Sequence, residues 1–355
     1  MSVSGVSDVY GTGEQNQALA MDEGQPLGAG RLRLSVLDQS PIGEGFSAAQ
    51  ALGASVALAQ AADELGYTRY WVAEHHHSPG FAGTAPEILA GALLERTRRL
   101  RIGTGGVLLP RYEAVKVAEV FQVLASLHPG RVDLGIGRAG GPAAQFPQQV
   151  AQVREFLGLD GPGGAAGPDM WLLGAGTRSA QLAGRLGTNF AFAHFLAPAP
   201  GVTAMETFRN EQSAVRPGAG GGRAALAVRV VTAESAAEAE DLAQSVLLWR
   251  SRKDLGLDLP LPSVRTARSH RWSGHELERA AVNRRSLVFG TPEQVHARLT
   301  RLAAEHGVSE VVVNTLTHDP ADRLRSYQLL AQVFDLPREG ALVPAAPVGG
   351  EPVVV

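Results

Sequence analysis

From Arg31 onward the chain repeats one pattern, a short run of apolar residues at alternate positions followed by a longer stretch with apolar residues at helical spacing. Leu32, Leu34 and Val36 alternate into Asp38, and Leu52, Val56, Ala59, Ala62 and Leu65 then recur one helical turn apart up to Gly66. Strands that alternate with helices join as parallel units, because a parallel neighbour requires a crossover. Eight strands can be read in this way, beginning near Leu32, Arg69, Leu100, Val132, Met170, Phe190, Leu226 and Val311. The count predicts a (β/α)8 TIM barrel in the α/β class rather than an open doubly wound sheet.

Local signals refine the outline. Ser47 with Gln50 and Thr84 with Glu87 have the spacing of capping boxes, and Asp319-Pro320 opens a last helix that runs to Val333. The third strand reads as continuous from Leu100 to Leu108, and a helix is expected from Gln148 to Leu157, followed by a Gly/Pro-rich loop to Pro168. Lys253 to Val288 carries little pattern and is expected to be an insertion after strand seven, placed to act as a lid. Residues 1–30 read as a disordered extension, 31–336 as the barrel and 337–355 as a loose tail.

Charge and composition exclude several classes. The 32 Lys and Arg against 35 Asp and Glu leave a net charge of −3, spread along the chain, so neither nucleic acid nor an anionic membrane surface is an expected partner. With no cysteine there is no disulfide or thiolate nucleophile, and no apolar run is long enough to span a bilayer. The first thirty residues lack the charged and apolar blocks of a secretory signal, so a cytoplasmic location is expected.

Chemistry concentrates where predicted strands end. Arg69 to Ala73 runs into Glu74-His75-His76-His77, four consecutive ionisable residues at a carboxyl-terminal strand end, where barrels place their active sites. Alternation would send Glu74 and His76 to one side and His75 and His77 to the other, which argues against a metal cage. Asp38 and His194, also at strand ends, are expected to point into the same mouth. Gly135-x-Gly137-x-x-Gly140 has the form of a dinucleotide fingerprint, but it follows the fourth strand, and Gly141-Pro142 stands where a helix should begin. Arg138, just past that strand, and the turn Gly174-Ala175-Gly176-Thr177-Arg178-Ser179 before a helix could together hold one phosphate.

These blocks, in this order, resemble the bacterial luciferase-like flavin monooxygenases. The similarity runs through Trp71-Val72-Ala73-Glu74-His75-His76, Gly103-Thr104-Gly105-Gly106-Val107, Pro129-Gly130-Arg131, Gly135 to Ala139, Trp171 to Gly174, and Val288 to Val295. The resemblance implies a two-component enzyme that takes reduced FMN from a separate NAD(P)H:flavin reductase and uses O2 to oxygenate a small organic substrate. It implies natural-product tailoring, by hydroxylation, epoxidation or Baeyer–Villiger insertion, and a homodimer. By the same resemblance, His75 assists the oxygen chemistry, with His76 and Glu74 supporting it. Gly105 and Gly106 match a cis peptide under the flavin ring. Arg138, with Ala139, matches the phosphate arginine, and Gly174 to Thr177 with Ser179 match the phosphate turn. Ala175 and Gly176 stand where relatives often carry oxygen-bearing side chains, which suggests modest flavin affinity. An F420-dependent oxidoreductase and a non-catalytic flavin binder stay open as alternatives.

Overall fold

The structure is a computed structural model that describes residues 31–139, 141–159, 167–215 and 222–337. The expected N-terminal extension, Gly140, most of the Gly/Pro-rich loop before Pro168 and the tail from 338 lie outside the described residues. The described chain falls within one compact unit that begins at Arg31.

A closed parallel barrel forms from β1 (Arg33–Asp38), β2 (Arg69–Val72), β3 (Arg101–Thr104) with β4 (Val107–Leu108), β5 (Val132–Gly137), β6 (Asp169–Gly174), β7 (Asn189–Ala193), β8 (Ala224–Thr232) and β10 (Glu310–Asn314). Pairing of β10 with both β8 and β1 closes the ring. The remaining strand, β9 (Leu287–Gly290), lies outside the ring and pairs with the upper half of β8, from Arg229 to Thr232. The helices between them are α1 (Ala48–Leu65), α2 (Pro86–Leu94), α3 (Ala114–Leu127), α4 (Phe146–Phe156), α5 (Thr177–Leu186), α6 (Gly201–Val215), α7 (Ala236–Asp254), α8 (Val264–Ser269), α9 (Gly274–Arg284), α10 (Pro292–His306) and α11 (Pro320–Val333).

Strand alternation divides the core into two. Leu34, Val36, Tyr70, Val72, Leu134, Ile136, Phe190, Phe192, Leu226 and Val228 face outward and meet the helices in the main apolar cluster. The inward set is Leu37, Trp71, Ala73, Trp171, Ala191, Ala225, Ala227 and Val312. Two tryptophans among so many small residues fill the middle of the barrel, edge to face at 5.1 Å. Below them, at the amino-terminal end of the strands, Arg69 is held between Glu310 at 2.5 Å and Asp133 at 2.8 Å. Trp71 Nε1 also donates to Asp133. Above the tryptophans the small residues leave the barrel open.

Several expectations need correction. The Ser47–Gln50 capping box forms, but the one at Thr84 does not. Helix α2 starts one residue later than that box requires, with Ala85 at the cap and Pro86 in the first turn, where its fixed φ and missing N–H suit a helix start. Strand three is interrupted by a cis peptide at Gly105–Gly106 and resumes as β4. Helix α4 starts two residues earlier than expected, at Phe146-Pro147. The insertion after strand seven is not patternless: α7 continues to Asp254, and α8, α9 and β9 follow. Its signals were serines. Ser263 caps α8 by accepting from Thr266 N–H, and Ser273 forms a capping box with Glu276. Leu261 ties the segment to the loop after β1, donating to Ile42 O and accepting from Glu44 N–H.

Candidate active site

The carboxyl-terminal ends of the strands surround a cavity of about 470 Å³. Its lower wall is apolar and small, made by Leu37, Trp71, Ala73, Ala191, Ala227 and the backbone of Gly105 and Gly106. Side chains are excluded from those two glycines. A Cβ on Gly105 would lie 2.6 Å from Leu37 Cδ1, and one on Gly106 would lie 2.6 Å from the Gly135 carbonyl oxygen. The result is a flat stretch of backbone, against which a planar ring can lie.

Glu74, His75 and His76 all reach this cavity, whereas His77 is exposed outside it. The chain leaves β2 at Val72, and His77 adopts a φ of 53°, a left-handed conformation that turns the segment aside after the third site residue. Glu74 is buried, accepts from Leu108 N–H at 2.8 Å and from Tyr112 O–H at 2.7 Å, and lies 2.5 Å from His76 Nε2. It fixes the orientation of His76 and anchors β4, while burial and the Glu74 contact push the Tyr112 hydroxyl up to about 12. His75 stacks on Phe81 at 4.2 Å. Burial first, then the nearby Lys253 charge, push its pKa down to about 4, so the imidazole is neutral at pH 7. Its Nε2 lies 3.3 Å from the Gln39 amide nitrogen and accepts from it, leaving His75 Nδ1 and Gln39 Oε1 buried with no partner among the described residues.

At another side of the cavity, Arg138 and Ala139 follow β5, Gly174 ends β6, and Ala175 and Ser179 follow it. Arg138 is exposed and donates to Gly141 O, and Ala139 has a φ of 42°. Helix α5 has no side-chain cap at Gly176, so the first N–H groups of its opening turn, at Thr177 and beyond, can take an anion. Gly176 and Thr177 belong to this turn without lining the cavity. Gly174 permits the close approach of strand end and helix, since a Cβ there would sit 2.2 Å from Ser179 Cβ.

Two expected residues lie elsewhere. Asp38 shares the outward register of Leu34 and Val36, and it binds Arg323 at 2.8 Å and Tyr70 O–H at 2.6 Å behind the barrel wall. His194 shares the outward register of Phe190 and Phe192 and packs edge to face with His306. Among the described residues no group of His, Cys, Asp and Glu is arranged to hold a metal. Of the segment that the sequence suggests as a lid, Lys253 at its start lines the cavity.

One wall was missed. Arg229 follows Ala225 and Ala227 at the inward positions of β8 and lines the cavity with Trp249, Arg250 and Lys253 of α7. The signal was present, since an arginine between Val228 and Val230 occupies the inward register of a strand whose apolar residues face out.

Comparison with known proteins bears on the family and the fold. The model of the luciferase-like monooxygenase family matches residues 32–159 and 149–310. The uncharacterized protein YwcH of Bacillus subtilis is 40% identical over 85% of this chain and 98% of its own length. The N-acetyl-S-alkylcysteine monooxygenase of the same organism is 36% identical over 84% and 97%. The crystal structure of apo-MsnO8 superposes with a TM-score of 0.76 at 36% identity, covering 86% of this chain and 99% of that one. No described helix is long and apolar enough to cross a membrane. With a closed barrel, a cavity at its carboxyl-terminal mouth and a family match across most of the described chain, this protein belongs to the luciferase-like monooxygenase family.

Proposed function

We propose that the protein is a flavin-dependent monooxygenase that receives reduced FMN from a separate NAD(P)H:flavin reductase and, with O2, oxygenates a small organic substrate in natural-product tailoring. The observation that carries this reading is the pairing, in one cavity, of a flat Gly105–Gly106 wall with a cationic, amide-rich corner at Arg138 and Ser179. These residues fit FMN: the backbone wall suits a planar ring, and Arg138, Ser179 and the uncapped α5 turn suit a phosphate. Reduced flavin bound there would supply the electrons that activate O2.

The remaining roles follow from position. Arg138 neutralises the phosphate, while Ala139, Gly174, Ala175, Gly176 and Thr177 shape the backbone around it. Leu37, Trp249 and Phe195 keep the cavity poor in water. His75, neutral and with unfinished hydrogen bonding, is suited to hold or accept a proton beside the reacting oxygen. His76 supports it, and Glu74 acts as a positioning residue through its contacts with His76 and Leu108. Dependence on a nicotinamide-driven reductase fits a cytoplasmic enzyme. A homodimer through α2 and α3 is supported by Ile88, Val123 and Leu127, apolar yet 70%, 59% and 67% exposed on these neighbouring helices.

Anaerobic titration with reduced FMN and, separately, with reduced F420 tests the cofactor assignment. Saturable binding of reduced FMN is expected. Binding of F420 alone, with hydride transfer that needs no O2, would overturn it.

A further inference from the structure

Arg229 is a buried charge in the described cavity wall with no carboxylate beside it. Its side chain is 94% buried by its 6% exposure, and no described carboxylate lies within ion-pairing distance. Its neighbours Arg250 and Lys253 are each paired, to Asp254 and Asp258, both at 2.8 Å. Arg229 Nε donates to Asn314 Oδ1 at 3.2 Å, and the Asn314 amide is itself fixed by donating to Leu37 O. The other N–H groups of the guanidinium have no hydrogen-bond partner among the described residues. A buried guanidinium stays charged and presents a fork of donors matched to a carboxylate. Burial and the charge of Arg250 push it down to about 9, which still leaves it protonated at pH 7.

The surroundings select the kind of anion. The guanidinium lies 5.2 Å from the Phe195 ring and 5.7 Å from the Trp249 ring. Lys253 lies 5.1 Å from the ring of Phe81, which carries His75 on its face. Aromatic walls beside a cation suit an organic body bearing a charge better than a hydrated inorganic ion. In the ring of strands, β8 stands opposite β3 and β4, so Arg229 faces the Gly105–Gly106 wall across the cavity. It is separated from Arg138, just past β5, by two intervening strands.

We propose that Arg229, flanked by Arg250 and Lys253, is an anion subsite, and that the organic substrate carries a carboxylate or a similar acidic group bound there. The inference rests on the proposed monooxygenase reading for the word substrate, and the subsite itself rests on the wall. It would hold one end of the molecule at β8 and leave its body between the aromatic residues and the Gly105–Gly106 wall.

The test is a titration of the purified protein, with and without saturating FMN, using 4-phenylbutyrate, its uncharged amide 4-phenylbutyramide, and inorganic phosphate, followed by calorimetry. The acid should bind about tenfold or more tightly than the amide, the scale of one charge-assisted contact, and phosphate should not displace it. Arg229→Gln should abolish the preference, Arg229→Lys should restore part of it, and FMN affinity should stay within about twofold of the parent. Should Arg229→Gln fail to fold, Arg250→Gln and Lys253→Met should each reduce the preference. Equal binding of acid and amide, no binding of either, displacement by phosphate, or a preference that survives these substitutions would overturn the proposal. Because no turnover is required, an acid preference without FMN binding would sink the flavin reading alone, and FMN binding without the preference would sink the subsite alone.

Discussion

At the level of single residues, the site separates a permanent charge from a neutral base. Arg138 is exposed at the cavity edge and makes only a backbone contact, so it can turn to an incoming phosphate without breaking a buried network. Arg138→Ala should weaken reduced-FMN binding by about 1.5–3 kcal/mol, the range for a hydrogen bond to a charged group. An anaerobic fluorescence titration checks this, and unchanged affinity would remove Arg138 from the phosphate site. His75 is held neutral by burial. His75→Asn should keep flavin affinity but lower product yield about 100-fold or more, with O2 still consumed and released as hydrogen peroxide, because proton handling rather than binding is lost. Mass spectrometry of product against a peroxide assay distinguishes the two, and full product yield would exclude the role. Residue types at this site were legible in sequence because Glu74, His75 and His76 follow a buried strand directly. The direction in which other strand-end residues point was not. Asp38 and His194 take the outward register of their strands, and Arg229 the inward one, a distinction visible only when the parity of each strand is followed to its end.

At the level of elements, the proposed phosphate corner depends on how closely α5 follows β6. Gly174→Ala would set a methyl group 2.2 Å from Ser179 Cβ and force the first turn of the helix outward. FMN affinity should fall about tenfold, and stability should drop by about 1–3 kcal/mol, the usual cost of overpacking. Parallel flavin titration and urea unfolding measure both, and an unchanged affinity would show that this turn is not the phosphate cradle. Element boundaries were legible where a side chain caps the start of a helix, as at Ser47 and Asp319. They were lost where backbone conformation decides. The break at Gly105–Gly106 follows from a cis peptide that strand periodicity cannot reveal, although the family resemblance places one there. The start of α2 was misjudged because Pro86 competes with the Thr84–Glu87 spacing and prevails.

At the scale of the whole molecule, the barrel is closed below by charge and open above to function. The Arg69–Asp133–Glu310 layer and the Trp71–Trp171 pair fill its lower interior, and the small inward residues above them leave the cavity. The (β/α)8 outline was legible because eight alternating units survive any local error, whereas the helices of the insertion depended on cap serines at 263 and 273. Two histidines, the buried His194 and the half-buried His75, tie stability to pH. His75 and His194 are both pushed down to about 4, mainly by burial, so between roughly pH 6.5 and 4 the unfolded chain binds protons that the folded chain does not. Stability therefore falls as pH falls through that window, by at most about 1.4 kcal/mol per pH unit for each histidine. Urea unfolding at pH 7, 6 and 5 should show this slope, and His194→Gln should flatten it; a stability that rises on acidification would contradict the assignment. The proposed function requires the cavity to bind reduced flavin and to control its reaction with oxygen. Rapid mixing of the protein–reduced FMN complex with oxygenated buffer, followed by flavin absorbance, tests it most directly. Oxidised flavin should return after a delay and in separate phases, unlike free reduced FMN; reoxidation indistinguishable from the protein-free control would contradict the proposed function.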